Sequence, residues 1–93
     1  MSGQVKFKTG QIVHTPGIQE LMNKWIWMSQ YLNRHMTGDW WEIEAEDSVS
    51  NDHAWLNGNE RIFSSYKIPE GGKIWIITEA DRSITTILLP EEY

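Results

Sequence analysis

The last third of the chain constrains everything before it. Between Arg61 and Leu89 lie three apolar, β-branched runs separated by turn chemistry. Arg61–Ile68 alternates in part and carries Ile62, Phe63, Tyr66 and Ile68. Pro69-Glu70-Gly71-Gly72 follows, a sequence that favours a tight turn. Lys73–Thr78 is rich in Ile and Trp, Ala80-Asp81-Arg82 makes a short connection, and Ser83–Leu89 ends at Pro90. Strands joined this closely pair as an antiparallel meander. The apolar face of such a sheet must be covered, and the cover has to come from upstream.

Upstream, Thr15-Pro16 opens a helix, since Thr can cap and Pro is pre-organised for the first helical position. Ile18, Leu21, Met22 and Trp25 follow at helical spacing. Ser29 begins a second short helix with Tyr31, Leu32 and His35, unless the two run together as one bent helix; Gly38 stops the segment. Val5–Val13 reads as extended or irregular, with a turn at Gly10. Glu44–Trp55 can form a further helix ended by Asn57-Gly58, with one packing face. The expected fold is α+β: short N-terminal helices packed on a C-terminal antiparallel β-meander of three or more strands, in a single domain over residues 1–93. Ile74, Ile76, Ile84, Leu88, Leu21 and Trp25 are the expected core.

A chain this short depends on a few large side chains for stability. Here they are aromatic, with 6 Trp, 3 Tyr and 2 Phe, and no Cys to staple the fold. Absence of Cys removes disulfides, thiolate zinc sites and a Cys nucleophile, and fits a reducing compartment. Met1–Lys6 leads into no apolar run of the kind a secretory signal needs, and Ile84–Leu89 is too short to span a bilayer. A cytoplasmic protein without membrane partners is expected. Thirteen acids against 8 Lys and Arg give a formal charge of −5, a poor balance for general nucleic-acid binding. It suits an acidic face that imitates nucleic acid in a partner's basic groove.

Two sets of residues carry potential chemistry. His35 sits near a helix end with Asp39 four residues on, the arrangement of a ring oriented by a carboxylate for general acid/base work. The plainer reading is a His placed favourably at the negative end of the helix dipole. The strands also carry Arg61, Ser64, Ser65, Thr78, Thr85 and Thr86 among apolar neighbours. Each is ordinary alone; with His35, an Arg and hydroxyls would form a minimal anion-handling site. Thr85 and Thr86 point to opposite faces, and Thr86 is the expected member. His14, His35 and His53 are too widely spaced for a metal pair, so neither metal nor cofactor is expected. The charges of Thr78–Ser83 should pair locally within a turn.

His35…Gly38-Asp39-Trp40, then Arg61…Ser64…Tyr66, then Ile74–Ser83 with Thr85-Thr86, Leu88-Leu89-Pro90 and Tyr93, resembles a family of short plasmid-related proteins. Its members are encoded on bacterial plasmids, integrative elements and prophages. The likeness runs from about Phe7 to Tyr93, with Trp41 where the family pattern has Gly. It implies a setting in mobile DNA and no particular chemistry. A second resemblance, helices bearing a His before an antiparallel sheet with a late hydroxyl-bearing hairpin, is to the barnase–colicin–RelE-like ribonucleases. That likeness implies metal-free RNA cleavage, with His35 as acid or base, Arg61 on the phosphorane, and Ser64, Thr85 or Thr86 on the phosphate.

Two functions of different classes follow. The first is a non-catalytic accessory protein of a mobile element that binds a host protein, such as a nucleic-acid-binding defence protein of a CRISPR or restriction system. Its contact surface would be acidic and Trp-bearing: Asp39, Trp41, Glu42, Glu44, Glu46, Asp47 and Asp52. The second is a metal-independent ribonuclease or toxin working through His35, Arg61 and Thr86. Geometry separates them, because catalysis needs those three in one cleft.

Overall fold

The computed structural model describes residues 7–24, 26–39, 60–69 and 71–93. A short strand β1 (Gln11–His14) leads into helices α1 (Pro16–Asn23) and α2 (Ser29–Thr37); the strands β2 (Ile62–Lys67), β3 (Lys73–Thr78) and β4 (Ile84–Leu88) follow, and a 3-10 turn (Pro90–Glu92) ends the order. The fold is α+β, with the meander β2–β3–β4 expected from the turn chemistry. It differs from expectation at its edge. Gln11–His14 adds a fourth strand parallel to β4, giving the order β1-β4-β3-β2. Four residues without strong alternation carry little sequence signal, and their pairing is set by what lies beside them.

Gly10 is what brings β1 in. It takes φ +64°, and a Cβ there would lie 2.2 Å from the Ser83 carbonyl oxygen. Only a residue without a side chain can cross the β3–β4 turn this closely and leave Gln11 N–H to bond Ser83 O at 2.9 Å. The charged residues of the turn bond to backbone and hydroxyl groups, where local charge pairs are the expectation, and Glu79 pairs with Arg61 outside the turn. Ser83 N–H and Oγ–H donate to one Asp81 oxygen at 3.0 and 2.6 Å. Arg82, at φ 61°, directs Nη1 onto the carbonyls of Glu60, Glu79 and Ala80.

Both helices pack on one face of the sheet. Ile18, Met28 and Tyr31 meet Tyr66, Ile68, Ile74, Ile76 and Ile87, with Leu21, Met22, Ile26, Leu32 and Leu89 around them. On β3, Ile74, Ile76 and Thr78 face inward, while Trp75 and Ile77 face the other way; Ile77 is only 6 % exposed. A central strand buried on both sides explains why its sequence is a continuous apolar run. Of the expected core, Ile74, Ile76 and Leu88 are buried, Leu21 is half-buried and Trp25 lies outside the described residues. Ile84 is a correction: it is 38 % exposed, at the start of β4 on the outer face, beside exposed Gln11 of the short edge strand. The Glu44–Trp55 helix also lies outside the described residues.

The helix ends are closed from a distance and locally. Thr15 precedes α1 and Pro16 opens it, but Thr15 does not cap it with its side chain. Its hydroxyl donates to Glu92, which also accepts from Gly17 N–H and Leu89 N–H at 3.0 Å each. A carboxylate from the C-terminal turn thus takes the capping role, and these donors hold its pKa below the usual carboxylate range. Ser29 does begin a second, separate helix. That helix ends at Gly38, φ +83°, in a Schellman closure: Asp39 N–H bonds Arg34 O at 2.9 Å and Gly38 N–H bonds His35 O at 3.4 Å.

Two substitutions test this packing. Gly10→Ala should destabilise by at least ~1–2 kcal/mol, the cost of left-handed backbone for a residue with a side chain, with the backbone clash added. Ile76→Ala should cost ~2–5 kcal/mol. Urea denaturation reads both; wild-type midpoints would mean that the β1 crossing or the inward face is misassigned.

Candidate functional site

The sheet separates two groups of polar and aromatic side chains, and they do different things. On the inner face, His35 of α2 is fully buried with Ser64, Thr78 and Thr85. His35 Nδ1 lies 2.5 Å from Ser64 Oγ, and Nε2 lies 2.8 Å from Thr78 Oγ1. Thr78 Oγ1 is 2.7 Å from Thr85 Oγ1, and Thr85 Oγ1 donates to the Thr9 carbonyl at 2.8 Å. The Phe7 ring and the imidazole meet edge to face, with centroids 5.3 Å apart.

One carbonyl sets the direction of this whole chain. Thr9 O can only accept, so the single hydroxyl hydrogen of Thr85 is used there. Thr78 must then donate to Thr85 and can only accept from His35. His35 is therefore protonated on Nε2 and unprotonated on Nδ1, where Ser64 donates. Every hydrogen runs one way: Ser64, His35, Thr78, Thr85, Thr9. Burial pushes the imidazole pKa down to about 3, so the ring is neutral at physiological pH. A neutral ring also means that His35 gains nothing from the helix dipole, and Asp39 does not orient it. Asp39 instead pairs with Arg34, 2.8 Å away. Its backbone carbonyl accepts from Tyr66 OH at 3.0 Å, and the Arg34 guanidinium lies 4.4 Å above the Tyr66 ring. Both sequence-level readings of the His35–Asp39 spacing are thus replaced by two separate structural locks.

On the outer face, Arg61, Phe63, Trp75, Ile77 and Tyr93 line a groove of about 290 Å³. β2 and β3 supply its walls through their outward positions, since the register sets Phe63 beside Ile77 and Ser65 beside Trp75. Phe63 and Trp75 meet edge to face at 5.2 Å, and Trp75 and Tyr93 at 5.7 Å. Tyr93 is 71 % exposed. Arg61 bonds Tyr93 OH through Nη1 and Glu79 through Nη2, each at 3.2 Å, and both partners raise its pKa.

The ribonuclease constellation is not brought together. Arg61 opens toward the outer groove and Thr86, half-buried, pairs beside Ile77 on that same face. His35 and Thr85 are on the inner face, so the sheet lies between the proposed base and the proposed phosphate ligands. His35 also has no exposed surface through which to reach a substrate. Of the expected acidic contact surface, Asp39 is half-buried in its ion pair, while Trp41, Glu42, Glu44, Glu46, Asp47 and Asp52 lie outside the described residues. Among the described residues, no three His, Asp or Glu side chains converge as metal ligands, and no helix is long and apolar enough to cross a membrane. Phe63, Trp75 and Tyr93 are scattered in the sequence and do not stand out there as a group. The usable signal was the strand period, which puts 61 and 63 on one face and 75 and 77 on the same face once the β2–β3 turn fixes the register.

The inner chain predicts a pH dependence of stability. His35 has its pKa depressed in the folded state, so the unfolded chain binds the extra proton first. The stabilisation is complete above about pH 6.5 and is lost as pH falls toward the folded value near 3. Within that window His35 contributes a slope approaching ~1.4 kcal/mol per pH unit. Glu92 and Asp81, both lowered, lose stabilisation in the same direction at the acid end. His35→Gln isolates the histidine: denaturation midpoints should fall at neutral pH, by about 1–3 kcal/mol for each buried hydroxyl left without its partner, and the slope between pH 6.5 and 4.5 should flatten, on the order of one proton. An unchanged slope would place the titration elsewhere.

Comparison with known proteins adds no relative: no family model matches the chain, and no curated protein or solved structure matches it significantly.

Proposed function

We propose that this protein is a non-catalytic binding module that acts on a host macromolecule, with the outer sheet face as its contact surface. The observation that carries this reading is the groove of Arg61, Phe63, Trp75, Ile77 and Tyr93. Trp, Tyr and Arg are the side chains most enriched among the residues that dominate binding energy at protein interfaces. Here Trp75 is fixed on β3, Arg61 directly precedes β2, and Tyr93, after the C-terminal 3-10 turn, is held by Arg61 through its hydroxyl, which lowers the cost of ordering the group on binding.

The residue best suited to catalysis argues the same way. His35 is neutral, buried and engaged at both ring nitrogens, so it serves the fold and not a reaction. The resemblance of the C-terminal run to plasmid- and prophage-borne proteins supports a setting in mobile DNA. In that setting the host target is a defence protein of the CRISPR or restriction kind, met in the cytoplasm. The charge of −5 favours a partner with a basic surface. The acid-rich stretch from Asp39 to Asp52 is then a second part of the contact, one that speeds association.

Affinity capture from a bacterial host, run beside an RNA-cleavage assay, tests this. A partner held by the wild-type protein should be lost or strongly depleted with Tyr93→Ala and with Arg61→Ala, both exposed changes that spare the core. RNA should stay intact in EDTA across the histidine range of about pH 5 to 8. Equal capture by all three proteins would remove the outer face from the account. RNA cutting that disappears in His35→Gln would restore the enzyme.

A further inference from the structure

We infer that the outer groove is built to receive a neutral, bulky apolar side chain presented by a partner protein. This deepens the binding reading above and rests on it.

The shape argues first. A nucleobase stacks on an open, flat aromatic face. The three rings here meet edge to face, with interplanar angles of 82° for Phe63–Trp75 and 69° for Trp75–Tyr93. Rings arranged so enclose a notch. Ile77, almost fully buried, contributes an apolar part of its lining. At about 290 Å³ the notch is at the small end for a ligand site, a size suited to one large side chain.

Charge argues second. Among the described residues that line the groove the cation is Arg61, and Glu79 lies 3.2 Å from it. The two cancel at the rim. A phosphate approaching the guanidinium would meet the Glu79 carboxylate, and the chain's net charge of −5 opposes a polyanion. An ammonium entering the aromatic notch would meet Arg61. A neutral apolar group meets neither penalty, and its burial against three rings is favourable through area alone. Arg61 then acts as a positioning residue, holding Tyr93 over the notch through the bond to its hydroxyl.

The probes are N-acetyl-tryptophanamide, N-acetyl-leucinamide, N-acetyl-lysinamide and adenosine monophosphate, each titrated into the ¹⁵N-labelled protein. The Trp75 indole and the Phe63 and Ile77 amides report. The tryptophan and leucine amides should shift these signals saturably, and the lysine amide and the nucleotide should not. Tyr93→Ala should weaken the tryptophan amide roughly 2- to 10-fold, the worth of one aromatic contact. Larger shifts from the nucleotide or the lysine amide at these positions would overturn the inference, as would no shifts from either apolar probe. If Tyr93→Ala abolishes capture of the host partner while both apolar amides leave the groove silent, the binding reading stands and this inference falls. If the amides bind and capture ignores Tyr93→Ala, the pocket chemistry holds and the binding reading falls.

Discussion

A one-way chain of hydrogen bonds on the inner face of the sheet holds this molecule in register. It begins at Ser64 on β2, passes through the His35 ring of α2 to Thr78 on β3 and Thr85 on β4, and ends on the Thr9 carbonyl ahead of β1. It links α2, three strands and the segment before β1. Buried polar groups are costly when unpaired and strongly specifying when fully paired. The chain is paired at every step, so it selects one strand register and one seat for α2. A slip of β4 that put Ile84 in place of Thr85 would leave Thr78 without its acceptor. The apolar core around Ile76 and Tyr66 supplies most of the favourable burial; the hydrogen-bond chain says which arrangement of that core is the native one.

This role accounts for residues that resemble catalytic machinery in the linear sequence. A histidine, a serine and two threonines within reach of one another are the parts of a nucleophile and its base. What decides between chemistry and structure is access and protonation. His35 has no exposed surface, and its basic nitrogen already accepts from Ser64. The Gly38-Asp39 pair after it has an equally structural meaning: the glycine turns the chain out of α2, and the aspartate locks Arg34 over Tyr66. At the other end of the sheet, Asp81, Arg82 and Ser83 tie the β3–β4 turn, and Glu92 closes the first turn of α1. Much of the polar sequence pattern is therefore spent on joining elements.

How much of this was legible depended on whether the signal was local. The strands β2, β3 and β4 follow from composition and turns, and the Thr15-Pro16, Ser29 and Gly38 boundaries from local backbone preference. β1 was not legible, because its pairing is fixed by the close approach of Gly10 to Ser83, 73 positions away in the chain. Ile84 looked like core because it begins an apolar run; its exposure follows from a short edge strand that gives it little cover. The separation of His35 from Arg61 could have been anticipated in part. Strand alternation already puts Arg61 and Ser64 on opposite faces, and one inward anchor for His35 would have fixed which face was which. The aromatic groove needed the register of β2 on β3, which pairs Phe63 with Ile77 and brings Trp75 alongside.

The state of one imidazole decides whether the inner face serves the fold or a reaction. ¹⁵N NMR of the His35 ring measures that state directly. The account predicts a protonated Nε2 and an unprotonated Nδ1 at neutral pH, with both shifts constant until the pH approaches the acid range near 3. A ring that titrates near the ordinary value of about 6.5, or one protonated on Nδ1, would contradict it. Titration near the ordinary value would return His35 to the list of groups able to move a proton for a substrate, and the Nδ1 tautomer would undo the hydrogen-bond direction that ends on the Thr9 carbonyl.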